Sequence, residues 1–312
     1  MSAALLARPV SVWALRWRRL ARDKAALLGL AVLVLLVVLC LSSPLFERLL
    51  GVSASETDLL SRFDPPQGNH LLGSDDAGRD DDAGRDEFTR LLAGGWVSLS
   101  IGLLGALGAS FVGTIVGAVA GYARGKTDMV LMRITDGIIA LPALPLLIIL
   151  AALDLSKLGF SQDFIRSGAA GYWRIVVIVT LLSWTGVARL VRASTLALAE
   201  REFVLAARAQ GASSWWILTV HILPNAVSPV IVATTLAMGR VILAESALSF
   251  LGVGIQPPQT SWGSMLTNAQ ELIGNAPELA IYPGLLILVS VIAINFFGDG
   301  LQAAFDPRSD TR

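Results

Sequence analysis

Apolar and polar positions alternate along this chain in long blocks, and six apolar blocks stand out, at residues 25–45, 97–120, 129–153, 172–191, 227–251 and 279–297. Each is close to the roughly 20 residues that a helix needs to cross the hydrocarbon core of a bilayer. The pattern predicts an all-α membrane protein with six transmembrane helices. Residues 1–24 are basic, with Arg8, Arg16, Arg18, Arg19, Arg22 and Lys24, and place Trp13 and Trp17 one turn apart. That composition suits an amphipathic helix in the cytoplasmic interface. The first block is longer than the apolar core of a cleaved signal peptide and is expected to stay as a span. Arg124 and Lys126 after the second block, and Arg189 and Arg192 after the fourth, mark cytoplasmic turns, whereas 252–278 holds no Lys or Arg. The positive-inside bias then places both termini in the cytoplasm. The expected organisation is a cytoplasmic N-terminus at 1–24, a first transmembrane helix at 25–46, an extracytoplasmic acidic loop at 47–95, a five-helix core at 96–303 with a cytoplasmic loop at 193–225, and a cytoplasmic tail at 304–312.

Within the spans, a few residues depart from the apolar background. Gly102, Gly105, Gly108, Gly113, Gly117 and Gly121 follow a small-residue spacing that predicts close helix packing. Arg133 and Asp136 lie three apart near the cytoplasmic end of the third span, which carries Pro142 and Pro145 as kink points. The fifth span holds Arg240 and Glu245, about 140° apart around a helix and so not a mutual pair. Two roles are open for them, lining a pathway or pairing with another helix. Asp136, Arg240, Glu245 and Asn295 are the intramembrane polar candidates. The sixth span is expected to end at Gly298, Asp299 and Gly300. Pro257, Pro258, Trp262 and Gly263 break the stretch before it into turns and short helix.

Composition sharpens this picture. With 54% hydrophobic and 15% charged residues, the chain is not an ordinary soluble enzyme. Equal numbers of acidic and basic residues, 24 of each, leave no net charge to imply a partner. Cys40 is the single cysteine and sits in an apolar run, so it forms no intrachain disulfide. The loop after the first span carries nearly half of the acidic residues and repeats Asp75-Asp76-Ala77-Gly78-Arg79-Asp80 at once as Asp81-Asp82-Ala83-Gly84-Arg85-Asp86. Gly84 falls where a third calcium ligand should be and no Glu closes a twelve-residue loop, so an EF-hand fails. A solvated acidic loop is expected, with His70 a surface residue in it. The Gly121–Thr127 stretch, GYARGKT, has three residues between its glycines where a phosphate loop needs four, so this chain is not expected to bind ATP by that motif. Neither a nucleophile elbow nor a histidine pair at zinc spacing is present, and a catalytic role is not expected.

The longest polar-bearing run between spans is 200–229. Residues 201–210 favour helix, Gly211 stops it, Ser213 or Ser214 caps a second short helix through Trp215, Trp216, Ile217 and Leu218, and Pro224 is expected to push Leu223 out of helical geometry. Ala207, Gly211 and Ile217 match the spacing of a DNA-binding helix-turn-helix, but the second helix offers Trp215 and Trp216 where base readout needs polar groups. No nucleic acid partner is expected. The small side chains Ala206, Ala207, Ala209 and Gly211 instead suggest a helix that fits closely into another protein's cleft.

AARAQGAS followed by HILPN resembles the coupling loop, or EAA motif, of permease subunits of ABC-type importers of the dipeptide, oligopeptide and nickel branch. In the general motif E-A-A-x3-G-x9-I-x-L-P, Ala206, Ala207, Gly211, Leu223 and Pro224 match; Leu205 stands for Glu and His221 for Ile. The similarity extends to WRRLARDKAALLGL, LLGSDDAGRD, MRITDGIIALP, ILAESALSFLGVGIQPPQTSWGSML and FFGDGLQAAFDPR. Such permeases commonly have one acidic block where this chain has two, and Arg where it has Trp96. The resemblance implies a multi-pass protein of a bacterial or archaeal plasma membrane that carries di- or oligopeptides. It implies a partnership with a homologous permease, two ATPase subunits and an extracytoplasmic binding protein, and no cofactor in this chain, ATP and magnesium being held by the ATPases. It also implies coupling through Glu202, Ala206, Ala207, Arg208, Gly211, Ala212, Leu223 and Pro224. Nickel, glutathione or an oligosaccharide are alternative cargoes of the same architecture, and an ATP-independent channel or secondary transporter is the alternative class.

Overall fold

A computed structural model describes residues 12–54, 70–74, 85–257, 259–267, 274 and 276–305. Most of the doubled acidic block and the tail from 306 onward lie outside these described residues. A short helix α1 (Val12–Leu20) leads into α2 (Lys24–Leu41), whose first turn is capped by Asp23 accepting from the N–H groups of Ala25 and Ala26. The first span therefore ends earlier than 45. Pro44 disfavours a continuous helix through the residue before it, and the chain turns at Ser42 into α3 (Ser43–Leu50), which Gly51 closes in the left-handed conformation. Then follow α4 (Glu87–Ala123), α5 (Gly125–Ala140), α6 (Ala143–Ala151), α7 (Gln162–Arg166), α8 (Gly168–Ala199) and α9 (Glu202–Ala209). The long α10 (Ser214–Phe250), the short α11 (Trp262–Met265) and α12 (Glu278–Phe305) complete the order.

Among the described residues five helices, α2, α4, α8, α10 and α12, are long and apolar enough to cross a membrane. The third span is not the single kinked helix expected: α5 and α6 meet at 88° around Leu141 and Pro142. Pro142 and Pro145 fall where the sequence places kinks, but a proline at each end of a four-residue stretch turns a kink into a break. Counted as one, that bent pair makes a sixth span. The outward faces carry Val34, Leu35 and Val38 of α2, Phe111 and Ile115 of α4, and Leu285 and Leu288 of α12 in exposed positions, as lipid-facing residues are.

Glycine spacing decides how the bundle closes. A Cβ on Gly113 would lie 2.6 Å from the Trp184 carbonyl oxygen, and one on Gly117 would strike that of Ala188, so α4 and α8 touch backbone to backbone. Gly102 and Gly105 turn the same helix toward Ile242 and Val241 of α10. On the other side, Gly300 of α12 lies on Ala26 of α2. This last contact explains why α12 runs on to Phe305 and does not stop at Gly298–Gly300: these glycines admit a neighbouring helix and terminate nothing.

The second span also starts earlier than 97. Asp86 caps α4 by accepting from Thr89 N–H at 2.8 Å, and its other oxygen meets His70 Nδ1 at 3.1 Å, while Ser74 and Asp86 pair as an isolated bridge. Arg85, Asp86, Glu87 and Arg90 are buried. The end of the acidic loop is thus folded against the bundle rather than solvated, and His70 is a half-buried partner of Asp86 rather than a free surface residue.

Candidate functional site

The polar run at 200–229 builds a compact unit at one end of the bundle. Arg201 caps α9 from extended backbone, Gly211 ends it with φ 83°, and the Ser213 hydroxyl accepts from Trp216 N–H to start α10. Val204 and Ala207, three residues apart, bury one face of α9 among Ile217, Leu218, Ile222, Val191 and Ala199. Ala212 and Leu223 pack against the same cluster. Ala207, which is buried, and Ala212 and Leu223, which are partly buried, therefore hold the unit to the bundle. Glu202, Ala206, Arg208, Gly211 and Pro224 are exposed, together with Phe203, Leu205 and Trp215, the last at 74%. Arg208 lies over the Tyr122 ring at 5.5 Å, tying α9 to α4. His221 stands edge-on to Trp216 with ring centroids 4.7 Å apart and close to Phe203, filling with an aromatic the place where the resembled motif has Ile.

Pro224 does not displace Leu223, which keeps helical dihedrals (φ −58°, ψ −44°) inside α10. Residues Ile217–Ile222 form a π-helical turn, a wider ring in which the proline ring two residues later finds room. Side chains take up carbonyls that the irregular ladder leaves short of donors: Thr219 Oγ1 donates to Trp215 O at 2.9 Å and Asn225 Nδ2 to His221 O at 2.7 Å. The unit is thereby continuous with the membrane-length helix α10. Nearby, Arg192 grips both oxygens of Asp128 at 2.5 and 2.6 Å, Arg189 reaches Asp136 at 2.5 Å, and Arg124 reaches Glu200 at 2.9 Å. Asp136 thus bonds across to α8 rather than along its own helix to Arg133.

The intramembrane candidates separate. Glu245 is wholly buried; Ser98 of α4 donates to its Oε2 at 3.0 Å and Ser249 to its Oε1 at 2.7 Å. The Ser98 oxygen accepts from Trp262 N–H and the Ser249 oxygen from Ile255 N–H, while the Trp262 indole donates to Leu91 O. Glu245 is therefore the hub that fixes α11 and the chain before it onto α4 and α10. Arg240 faces the other way, into a groove of about 600 Å³ lined also by Arg16, Gly186, Asn225, Ser228 and Gln302. Arg16 donates to Ser228 at 2.8 Å and stacks over Phe305 at 4.9 Å. Asn295 is exposed on α12, with its side chain facing Gly239. The i, i+3 spacing of Val204 and Ala207 could have disclosed the inward face of α9. The Arg16–Ser228 contact joins residues 212 apart and leaves no local trace in the sequence.

Comparison with known proteins adds the family. Residues 113–311 match the family of binding-protein-dependent transport system inner membrane components, and residues 11–66 match the N-terminal transmembrane domain of oligopeptide transport permease C. The chain is similar to the dipeptide transport system permease protein DppC of Alkalihalophilus pseudofirmus, 35% identical over 96% of this chain and 91% of the relative. It is 33% identical to the oligopeptide transport system permease protein OppC of Bacillus subtilis over 96% and 91% of the two chains. A putative peptide transport system permease protein of Brucella abortus is 39% identical over 93% and 90%. With five membrane-length helices and this match, the chain belongs to the family of binding-protein-dependent transport system inner membrane components and is a multi-pass inner membrane protein.

Proposed function

We propose that this chain is one of two permease subunits of an ATP-driven importer of di- or oligopeptides, with a binding protein delivering cargo from outside and two ATPase subunits engaging α9 from the cytoplasm. The observation that carries this reading is the unit at 200–229: its inward face is fixed by Val204, Ala207 and Ile217, and its outward face presents the small Ala206 and Gly211 beside the apolar Phe203, Leu205 and Trp215. An anchored projection with an exposed apolar surface suits insertion into a cleft of another protein. It is continuous with α10, so motion imposed on it moves a spanning helix as a body, as alternating access requires. Both termini lie in the cytoplasm in this arrangement, on the side of α9. The peptide cargo rests on the relatives named for dipeptide and oligopeptide transport.

Ala206→Trp tests the docking role, because Ala206 is exposed and helical, so the indole meets nothing within this chain that must give way. Expected are normal membrane insertion, loss of co-purification with the ATPase subunits, and peptide uptake reduced by at least about 100-fold, the scale of a blocked interface centre. Wild-type uptake in that variant would refute the assignment.

A further inference from the structure

Arg240 is a guanidinium in the body of a spanning helix, where a charge is costly and calls for a counter-charge. The carboxylates that could serve are engaged elsewhere: Asp128 with Arg192, Asp136 with Arg189, Glu200 with Arg124, and Glu245 with two serine hydroxyls on the opposite face of the same helix. Among the described residues no carboxylate pairs with Arg240. Its side chain opens instead into the groove of about 600 Å³, whose polar lining among the described residues is Arg16, Asn225, Ser228, Arg240 and Gln302, none of them acidic. The groove runs along α10 from Ser228 to Arg240, about 18 Å at the helical rise of ~1.5 Å per residue. Across from the guanidinium stands Gly186, where even a Cβ would lie 4.0 Å from Nη2, so the space beside the charge is kept open.

We propose that Arg240 binds the C-terminal carboxylate of the transported peptide in this groove, making it a cargo contact on the translocation path. This deepens the peptide-importer reading and rests on it. A carboxylate is the group a peptide always carries at one end, and the planar guanidinium fork matches it with two parallel hydrogen bonds. Asn225, Ser228 and Gln302 supply neutral donors and acceptors for peptide amides along the groove, and Val187, Leu190 and Val232 form apolar walls that tolerate varied side chains. The site is selective for the chain end and indifferent to sequence.

The test compares a tripeptide with its C-terminal amide. Uptake is measured in phosphatidylcholine vesicles holding the complete transporter, each peptide at a concentration shown to saturate the binding protein. The wild type should carry the free acid faster than the amide. Arg240→Gln should slow the acid roughly 10- to 100-fold, the range supplied by losing a charge-assisted hydrogen bond, and slow the amide far less, since its neutral carbonyl loses only a weaker bond. Arg240→Lys should recover part of the acid rate. Equal slowing of both peptides would overturn the proposal in favour of a counter-charge from the partner permease, and unchanged rates for both would take the groove off the path. Loss of the wild-type preference when anionic lipid is added to the vesicles would assign the guanidinium to lipid phosphate. Wild-type uptake of neither peptide would sink the peptide reading itself, whereas every other outcome leaves that reading standing.

Discussion

A carboxyl group buried among hydroxyls ties three pieces of chain together at Glu245. Each of its oxygens accepts one serine hydroxyl, and each of those serine oxygens accepts a backbone N–H from the 255–262 region, so the carboxyl orders a loop that it does not touch by backbone. Glu245→Ala would leave two buried hydroxyl donors without acceptors, a loss of about 1–3 kcal/mol for each unsatisfied group. Glu245→Gln keeps one acceptor oxygen in place, and its amide N–H can donate to the second hydroxyl, so the cost should be well below that. Thermal unfolding of the purified protein in detergent should place the Ala variant several degrees below the Gln variant. If the two melt together, the hub assignment fails. The contrast with Arg240, five residues away on the same helix, shows how angle decides role: the 140° between them puts the acid in the protein interior and the base in a groove.

Helix packing is the scale at which the sequence was most readable. The glycine spacing in 102–121 predicts a packing face, and α4 does meet α8 and α10 there, because only an absent Cβ lets backbones approach so closely. Gly117→Ala should destabilise the bundle by about 1–3 kcal/mol, as overpacking does, since the added carbon meets the immovable Ala188 carbonyl. Gly137→Ala in α5, with open space around it, should be neutral or slightly stabilising. Melting temperatures of the two variants check both signs, and equal destabilisation would contradict the packing account. What misled at this scale were residues with two possible uses. Gly298 and Gly300 read as a stop but serve as a seam; Pro224 reads as a break but follows a π turn that accommodates it; Asp86 and Glu87 read as solvated but cap and bury the head of α4. In each case a distant partner chosen by tertiary packing decides, and no window of neighbouring residues contains it. The helical unit at 200–229 was legible in outline, because its cap, stop and helix are local, whereas the groove of Arg240 assembles from α1, α8, α10 and α12 and was visible only as one charge out of place.

For the molecule as a whole, the proposed function needs α9 and the spans to move together, and the link is the π turn Ile217–Ile222 inside α10. A π turn already holds one residue more than an α-helix would over the same rise, so it does not absorb a further one. Inserting an alanine after Thr219 would rotate the chain before it by about 100° relative to the chain after it. Ile217 and Leu218 would then leave the cluster that receives Val204 and Ala207, and α9 would lose both its seat and its direction. The spans from Leu223 onward keep their contacts with α4 and α12, so the protein should still insert and purify. ATPase co-purification and ATP-driven uptake should both be lost. Thr219→Val is the control: it removes the hydroxyl that donates to Trp215 O but keeps the chain length, so α9 stays in register and transport should remain near wild type. If the insertion variant still transports, motion reaches the spans by a route other than α10; if the Val control fails as well, the hydroxyl rather than the register holds the unit in place.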